Sequence, residues 1–241
     1  AQRAMMEADA IVYDALVPAE VVAMGRRDAD RFAVGKRKGC HSKSQNEIND
    51  LLVELGRAGK RVVRLKSGDP LVYGRAAEEM QALRDAGISY EIVPGITSAF
   101  AAAADFELPL TLRGVASSLI FTTGHDLTGE TLPDWASLAV SGATIAVYMG
   151  RTVAASVAER LMQAGLPAET TVAVIENASR RDKRLLHGVL RELPGLEARD
   201  DLAGPVMVII GDAVAGANFT HSEPLAIRRS AAAERIAVSG A

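Results

Sequence analysis

Arg61-Val62-Val63-Arg64-Leu65-Lys66-Ser67-Gly68-Asp69-Pro70, continuing Leu71-Val72-Tyr73-Gly74-Arg75, runs from a strand through a turn into a helix. Arg61 to Leu65 is rich in β-branched and aliphatic side chains and reads as a strand. Small and polar residues follow at once, Pro70 stiffens the turn, and Ala76 to Ala86 reads as a helix that Gly87 stops. A strand passing through a glycine turn into a helix is half of a parallel βαβ unit. Open α/β sheets bind ligands at such places, just beyond the carboxyl ends of their strands.

Working outward, Ile11-Val12-Tyr13 reads as a strand, Pro18 to Met24 as a helix, and the vicinity of Phe32-Ala33-Val34 as another strand. Ser44 and Glu47 have capping-box spacing, and Ile48, Leu51, Leu52 and Leu55 then fall on one helical face before Gly56. Tyr90-Glu91-Ile92-Val93 reads as a strand and Ser98 to Ala104 as a helix. The pattern resets around Thr111-Leu112-Arg113-Gly114. Strands are expected at 119–122, 144–148, 172–175 and 206–210, with an extra one at 185–189 and a helix from Val153 to Ala164. The fold class is therefore α/β, in two domains. Residues 1–112 carry a mostly parallel sheet, residues 113–214 a mixed sheet, and residues 215–241 a poorly ordered tail.

The chain has 241 residues, 49% hydrophobic and 24% charged, enough to build a sizeable core. Its formal charge of −3 gives no reason to expect nucleic acid or an anionic membrane as partner. No apolar run approaches the roughly 18–20 residues of a membrane helix, and Ala1 to Glu7 lacks the apolar centre and cleavage site of a signal peptide. Cys40 is the sole cysteine, so no internal disulfide or multi-cysteine metal site is expected, and this low cysteine use suits the cytoplasm. His41, His125, His187 and His221 form no helical i, i+4 pair, so no metal is expected either. Asn218-Phe219-Thr220 is read as a chance sequon.

Several segments close a strand with residues suited to chemistry. Gly68 lets backbone approach a ligand and Asp69 can accept from a ribose hydroxyl, although an ordinary Asx-capped turn has the same spacing. Pro94-Gly95-Ile96-Thr97-Ser98 offers hydroxyls and free N–H groups at a helix start, which is also what a plain N-cap looks like. Asp14, after Val12-Tyr13, is a general-base candidate or a turn residue. Val34-Gly35-Lys36-Arg37-Lys38-Gly39 with Lys43 reads as solvated surface or as a cationic loop for a substrate with several carboxylates, to which Arg75 would add. Tyr148-Met149-Gly150 and Glu176-Asn177-Ala178-Ser179 close two later strands, with Met149 either filling core or packing a purine or thioether. Thr122-Thr123-Gly124-His125-Asp126 holds a polar pair with no claim to be a dyad. Neither a Walker-type phosphate loop nor a complete Gly-x-Gly-x-x-Gly fingerprint is present.

In this order, from about Ala8 to Val214, these motifs resemble the tetrapyrrole methylase family, and within it the uroporphyrinogen III C-methyltransferases. The resemblance implies two α/β domains with a cofactor cleft between them, a homodimer, S-adenosylmethionine as methyl donor and S-adenosylhomocysteine as product. It implies methylation of uroporphyrinogen III at C2 and C7 to give precorrin-2, for sirohaem or cobalamin synthesis. The alternatives are methylation of a later corrin precursor and a non-catalytic nucleotide-binding module. Cofactor contacts carried over by motif are Ser67, Gly68, Asp69, Val72, Thr97, Ser98, Met149 and Ala178. Asp14 matches the proton acceptor, Lys36 the proton donor, and Arg75 an arginine on the substrate side. Ser67 stands where many relatives have glycine and Ala178 where some do, and Ala178 is tolerable if its φ is negative. Family members begin with a strand and a glycine-rich turn ahead of the helix that here holds Met5 and Met6. A chain without them is expected to have an incomplete first domain and weak cofactor binding.

Overall fold

The computed structural model describes residues 1–35, 43–124 and 142–226. It separates into Ala1–Ser98 and Ala99–Ala241, each with its own sheet.

In the first unit β1 (Ala10–Tyr13) lies between β2 (Asp30–Ala33) and β3 (Val62–Leu65), and all three run parallel. Ala10, Ile11 and Val12 are all fully buried, so β1 needs cover on both faces and takes the middle. Ala10 and Val12 pack with Ile48, Leu52 and Leu55 of α3 (Gln45–Arg57). Ile11 turns the other way, to Met5 of α1 (Gln2–Glu7) and to Ala8 and Ala29. The larger of these side chains, Ile, Val, Leu and Met, each stabilise the unit by about 1.5–3 kcal/mol when fully buried.

A short α2 (Ala19–Val22) follows β1. The capping box of α3 forms as the spacing predicts: Glu47 N–H donates to Ser44 Oγ at 3.3 Å, and Ser44 N–H donates to the Glu47 carboxylate at 2.6 Å. The helix runs through Gly56 to Arg57, and the chain reverses at Gly59 with φ +75°. α4 (Ala76–Asp85) gives way to Gly87 at φ +68°, the stop expected from its sequence. Tyr90-Glu91-Ile92-Val93 does not form the expected strand. Its side chains are exposed, and among the described residues β3 has β1 as its one ladder partner. β-propensity becomes a strand only where a neighbouring strand supplies the ladder.

The second unit starts with α5 (Ser98–Asp105), whose first residue closes the preceding unit. Its strands are β4 (Ser118–Thr123), β5 (Ala143–Tyr148), β6 (Thr171–Glu176), β7 (Arg184–Val189), β8 (Val206–Ile210) and β9 (Glu223–Pro224), in the order β4-β5-β8-β6-β7-β9. β4 and β5 pair in parallel, whereas β8 is antiparallel to both β5 and β6, and β6 to β7, so the sheet is mixed as expected. All six residues of β5 are buried, the signature of a central strand. Val157, Ala158 and Leu161 of α6 (Ala154–Gln163) pack on Ile145, Val174 and Ile210, and with Leu190, Leu193 and Leu196 of a 3-10 segment.

Ordered packing extends past residue 214, where the sequence reading begins a tail. β9 pairs with β7, Leu225 N–H donates to His187 O at 2.9 Å, and Leu225 is fully buried. The run Pro224-Leu225-Ala226-Ile227 is too short an apolar pattern to announce this in the sequence. Arg199, itself buried, donates to Pro224 O at 2.8 Å and pairs with Asp201 and Glu223, which Arg184 also engages. Residues 227–241 lie outside those described.

Hydrogen bonds from Arg199 and Arg184 hold the Asp201 carboxyl well below the usual carboxylate range, and Arg184 lowers Glu223. A depressed carboxylate stabilises the fold above its unfolded pKa of about 4, and this contribution disappears as pH falls through the lower folded value. Denaturant midpoints should therefore fall on acidification below about pH 4. Asp201→Asn should lower the midpoint at pH 7 and make the acid limb shallower, as read from denaturation series at several pH values.

Candidate functional site

The three strands of the first unit end in register, Tyr13 being paired with both Ala33 and Leu65. Asp14, Val34-Gly35 and Lys66 consequently leave the sheet along one edge, where a parallel sheet presents its ligand loops. The loop after β2 lies directly on the loop after β1: a Cβ added at Gly35 would stand 2.1 Å from Ala15 N. Lys36, the next residue, lies outside the described residues.

The turn after β3 is tied to the turn that precedes α5. Gly68 has φ +73°. Asp69 receives Leu71 N–H on Oδ1 and Gly95 N–H on Oδ2, both at 2.9 Å. A Cβ at Gly95 would come within 2.2 Å of the Gly68 carbonyl oxygen, so the two turns approach as closely as they do only because Gly95 has no side chain. The Asp69 carboxylate thus clasps two turns, with lone pairs remaining on each oxygen. Ser98 lies beside Gly68, its Oγ 3.4 Å from the Cβ position there. Ser67 is exposed, Val72 half-buried and Thr97 buried.

Further along the turn, Tyr73 and Arg75 have φ +52° and +54°. The Arg75 guanidinium is bound in bidentate fashion by Glu78, with both contacts at 2.7 Å, and this pairing raises the arginine's pKa. Beneath lies a set of charges in which the sequence reading singled out Asp14 alone. Arg64 donates to Asp14 Oδ1 at 2.6 Å and, through Nε, to Glu79 Oε1 at 3.0 Å. Lys66 donates to the same Glu79 oxygen at 3.0 Å and to the Gly74 carbonyl at 2.5 Å. The Glu79 side chain is only 6% exposed. Burial and the neighbouring Arg64 push the Lys66 ammonium pKa down, and Glu79 opposes them. Removing one partner from such a buried pair costs about 3–5 kcal/mol, because the other charge is left without compensation. A signal existed: two cations at i and i+2 point to one face as a strand ends, and a buried face needs an anion.

In the second unit Tyr148 of β5 and Ile175 of β6 both register with Met207 of β8, so Met149-Gly150 and Asn177-Ala178-Ser179 leave one edge of that sheet. Met149 has φ +53° and is 44% exposed, which removes the core-filling reading. Asn177 and Ser179 have φ +55° and +63°, while Ala178 between them has no positive φ and suits alanine. The bend is held by Asn177 Nδ2 donating to Asp182 at 2.9 Å and by Ser179 N–H donating to Asp105, which Lys183 also pairs at 2.7 Å. His125 and Asp126 lie outside the described residues.

Six non-glycine residues among those described have left-handed φ, and five of them (Tyr73, Arg75, Met149, Asn177 and Ser179) occupy turns nominated from sequence. Such conformations cost about 1–3 kcal/mol each and persist where the surroundings enforce them, commonly at ligand sites.

A chain of two α/β units with strained turns at their strand ends belongs to a known class. Residues 1–194 match the family described as Tetrapyrrole (Corrin/Porphyrin) Methylases, and the chain belongs to that family. Among curated relatives, it is 47% identical over 211 residues to a siroheme synthase of Tolumonas auensis, covering 88% of this chain and 45% of that one. It is 44% identical over 214 residues to the siroheme synthase of Chromobacterium violaceum, covering 89% and 46%. The chain thus spans a little under half the length of these relatives. The uroporphyrin-III C-methyltransferase of Thermus thermophilus, solved with S-adenosyl homocysteine, superimposes with TM-score 0.73 at 33% identity, covering 89% of this chain and 90% of that one. A cobalt precorrin-4 methyltransferase superimposes with TM-score 0.76 at 29% identity, covering 88% and 87%.

The Gly68–Gly95 approach yields a direct test. Gly95→Ala should lower unfolding free energy by about 1–3 kcal/mol, because the turns must separate to admit a methyl group. At Gly59 a Cβ meets nothing within 4 Å, so Gly59→Ala should cost only the strain of its positive φ, about 1 kcal/mol. Equal midpoints for wild type and Gly95→Ala in urea would contradict the clasp.

Proposed function

We propose that this chain methylates uroporphyrinogen III at C2 and then C7 to give precorrin-2, with S-adenosylmethionine as donor. The observation that carries the reading is the concentration of strained and glycine-dependent backbone in the turns where family resemblance puts cofactor contacts. The likeness to the Thermus thermophilus enzyme solved with S-adenosyl homocysteine, and the siroheme synthase names of the relatives, support the same reading.

The residues present suit that donor. Ser67 and Gly68 offer backbone with little side-chain obstruction, Asp69 keeps acceptor lone pairs, and Val72, Thr97 and Ser98 lie on the same clasped pair of turns. In the second unit Met149 offers an exposed, polarisable thioether and Ala178 a small side chain in a held bend. When bound, S-adenosylmethionine supplies a methyl group from its sulfonium to a pyrrole carbon. The protein's task is placement, since in-line attack depends on alignment of the reacting atoms.

Asp14 is the residue we assign to accept the proton released from the methylated ring. Its side chain is 32% exposed, and Arg64 fixes one carboxylate oxygen. Lys36 is assigned as proton donor. Arg75, braced by Glu78, is assigned to hold the acetate and propionate groups. A second reading, methylation of a later corrin precursor, is favoured by the TM-score of 0.76 with the cobalt precorrin-4 methyltransferase. Competition between the two tetrapyrroles for turnover separates the readings.

Titration of the chain with S-adenosylhomocysteine should give saturable binding, and its absence at millimolar concentration would overturn the donor assignment. Asp14→Ala should lower kcat by about 10²–10⁴-fold, and full activity with an unchanged pH profile would remove it as proton acceptor. Arg75→Ala should raise the tetrapyrrole KM with little change in kcat, whereas a loss in kcat alone would argue against a binding role.

A further inference from the structure

We infer that Glu79 is a positioning residue that couples two parts of the site, orienting Asp14 through Arg64 and holding the 66–75 turn closed through Lys66. The inference rests on the reading of Asp14 and of that turn just given, and extends it to residues that touch neither donor nor substrate.

The geometry is a four-charge chain with one shared atom. Glu79 Oε1 accepts from Arg64 Nε at 3.0 Å, from Lys66 Nζ at 3.0 Å and from Gln45 Nε2 at 3.4 Å. Arg64 has no spare freedom: its other nitrogens donate to Val12 O at 3.4 Å, Leu65 O at 3.2 Å and Asp14 Oδ1 at 2.6 Å. Its guanidinium is planar and rigid, so fixing Nε on Glu79 fixes the direction from which Nη2 meets Asp14. The Asp14 carboxylate is thereby presented in one orientation.

The second arm ends on strained backbone. Lys66 Nζ donates to Gly74 O at 2.5 Å, and Gly74 sits between Tyr73 and Arg75, both at left-handed φ. A conformation of that kind relaxes unless something enforces it. The bond to the Gly74 carbonyl is such an enforcement, and it requires Lys66 to stay buried beside the cationic Arg64. Glu79 is the anion that makes this tolerable, because two unscreened cations in a buried site would repel and move apart. With its carboxylate gone, Lys66 would leave for solvent, the turn carrying Gly68, Asp69, Val72 and Arg75 would lose its brace, and Arg64 would lose the contact that aims it at Asp14.

The charge chain runs Asp14, Arg64, Glu79, Lys66, alternating in sign and summing to zero. Glu79→Gln keeps the shape and removes one charge, which makes it a sharper probe than alanine. The two arms predict different readouts. Arg64→Met should lower kcat at saturating donor about tenfold or more while leaving the S-adenosylhomocysteine Kd within twofold. Lys66→Met should raise that Kd about tenfold, since a turn no longer held in its binding conformation must be ordered when the ligand binds. Glu79→Gln should do both, and Arg64→Lys should fail to restore kcat because an ammonium cannot make the forked contact.

The experiment is titration calorimetry with S-adenosylhomocysteine together with steady-state methylation of uroporphyrinogen III, on wild type and these variants, each checked for folding by thermal melt. A Glu79→Gln protein that is folded and matches wild type in both Kd and kcat overturns the inference. So does a set of variants that lose thermal stability alike, with no split between Kd and kcat. Failure of the underlying reading shows itself separately: wild type would not bind S-adenosylhomocysteine, or Asp14→Ala would keep full kcat while Lys66→Met still altered Kd.

Discussion

Tyr13 is in register with Ala33 on one side and Leu65 on the other, and this shared parallel register is the constraint on which the first unit depends. β1 is apolar on both faces and is covered on both, while the helical crossovers α2 and α3 return the chain for parallel pairing. Three chain segments then emerge at one level of one sheet edge. Asp14, the glycine of the Val-Gly-Lys-Arg loop and the Gly-Asp-Pro turn leave the same sheet edge although about 55 residues separate the first from the last in sequence. In the second unit the register of Tyr148 and Ile175 with Met207 does the same for the Met149 and Ala178 turns.

On that framework both units use backbone strain, but restrain it differently. In the second unit the bend at Asn177–Ser179 is held by neighbouring polar groups: Asp182, Asp105 and Lys183. In the first unit the strained residues Tyr73 and Arg75 lie over a buried charge chain, with Lys66 reaching Gly74 from below. Buried ions are costly without partners, so such a chain tolerates little change in geometry, which favours a single arrangement of the turn. The clasp of Asp69 on Gly95 adds a second restraint, allowed by the missing side chain at Gly95.

Most of the architecture was legible in the sequence because it rests on local signals. The capping box at Ser44 and Glu47, the glycine stop at Gly87 and the all-apolar run of β5 each encode an element without reference to the rest of the chain. Two readings went astray for one reason. Tyr90–Val93 has strand composition but no ladder partner among the described residues, and Leu225 is buried although its surroundings look like tail. Both depend on what the rest of the chain brings alongside, which a local pattern does not contain.

The α/β class, the family and the turns that carry unusual residues were readable along the chain, because glycines, prolines and caps act through bonds within a few residues of themselves. Tertiary structure alone decided that Met149 is exposed rather than core, that Asp69 clasps two turns, and that Glu79 is the common partner of Arg64 and Lys66. The physical reason is distance. Charge pairing, burial and close backbone approach act over a few ångströms of space, and only the packed sheet brings residues 14, 64, 66 and 79 within that range.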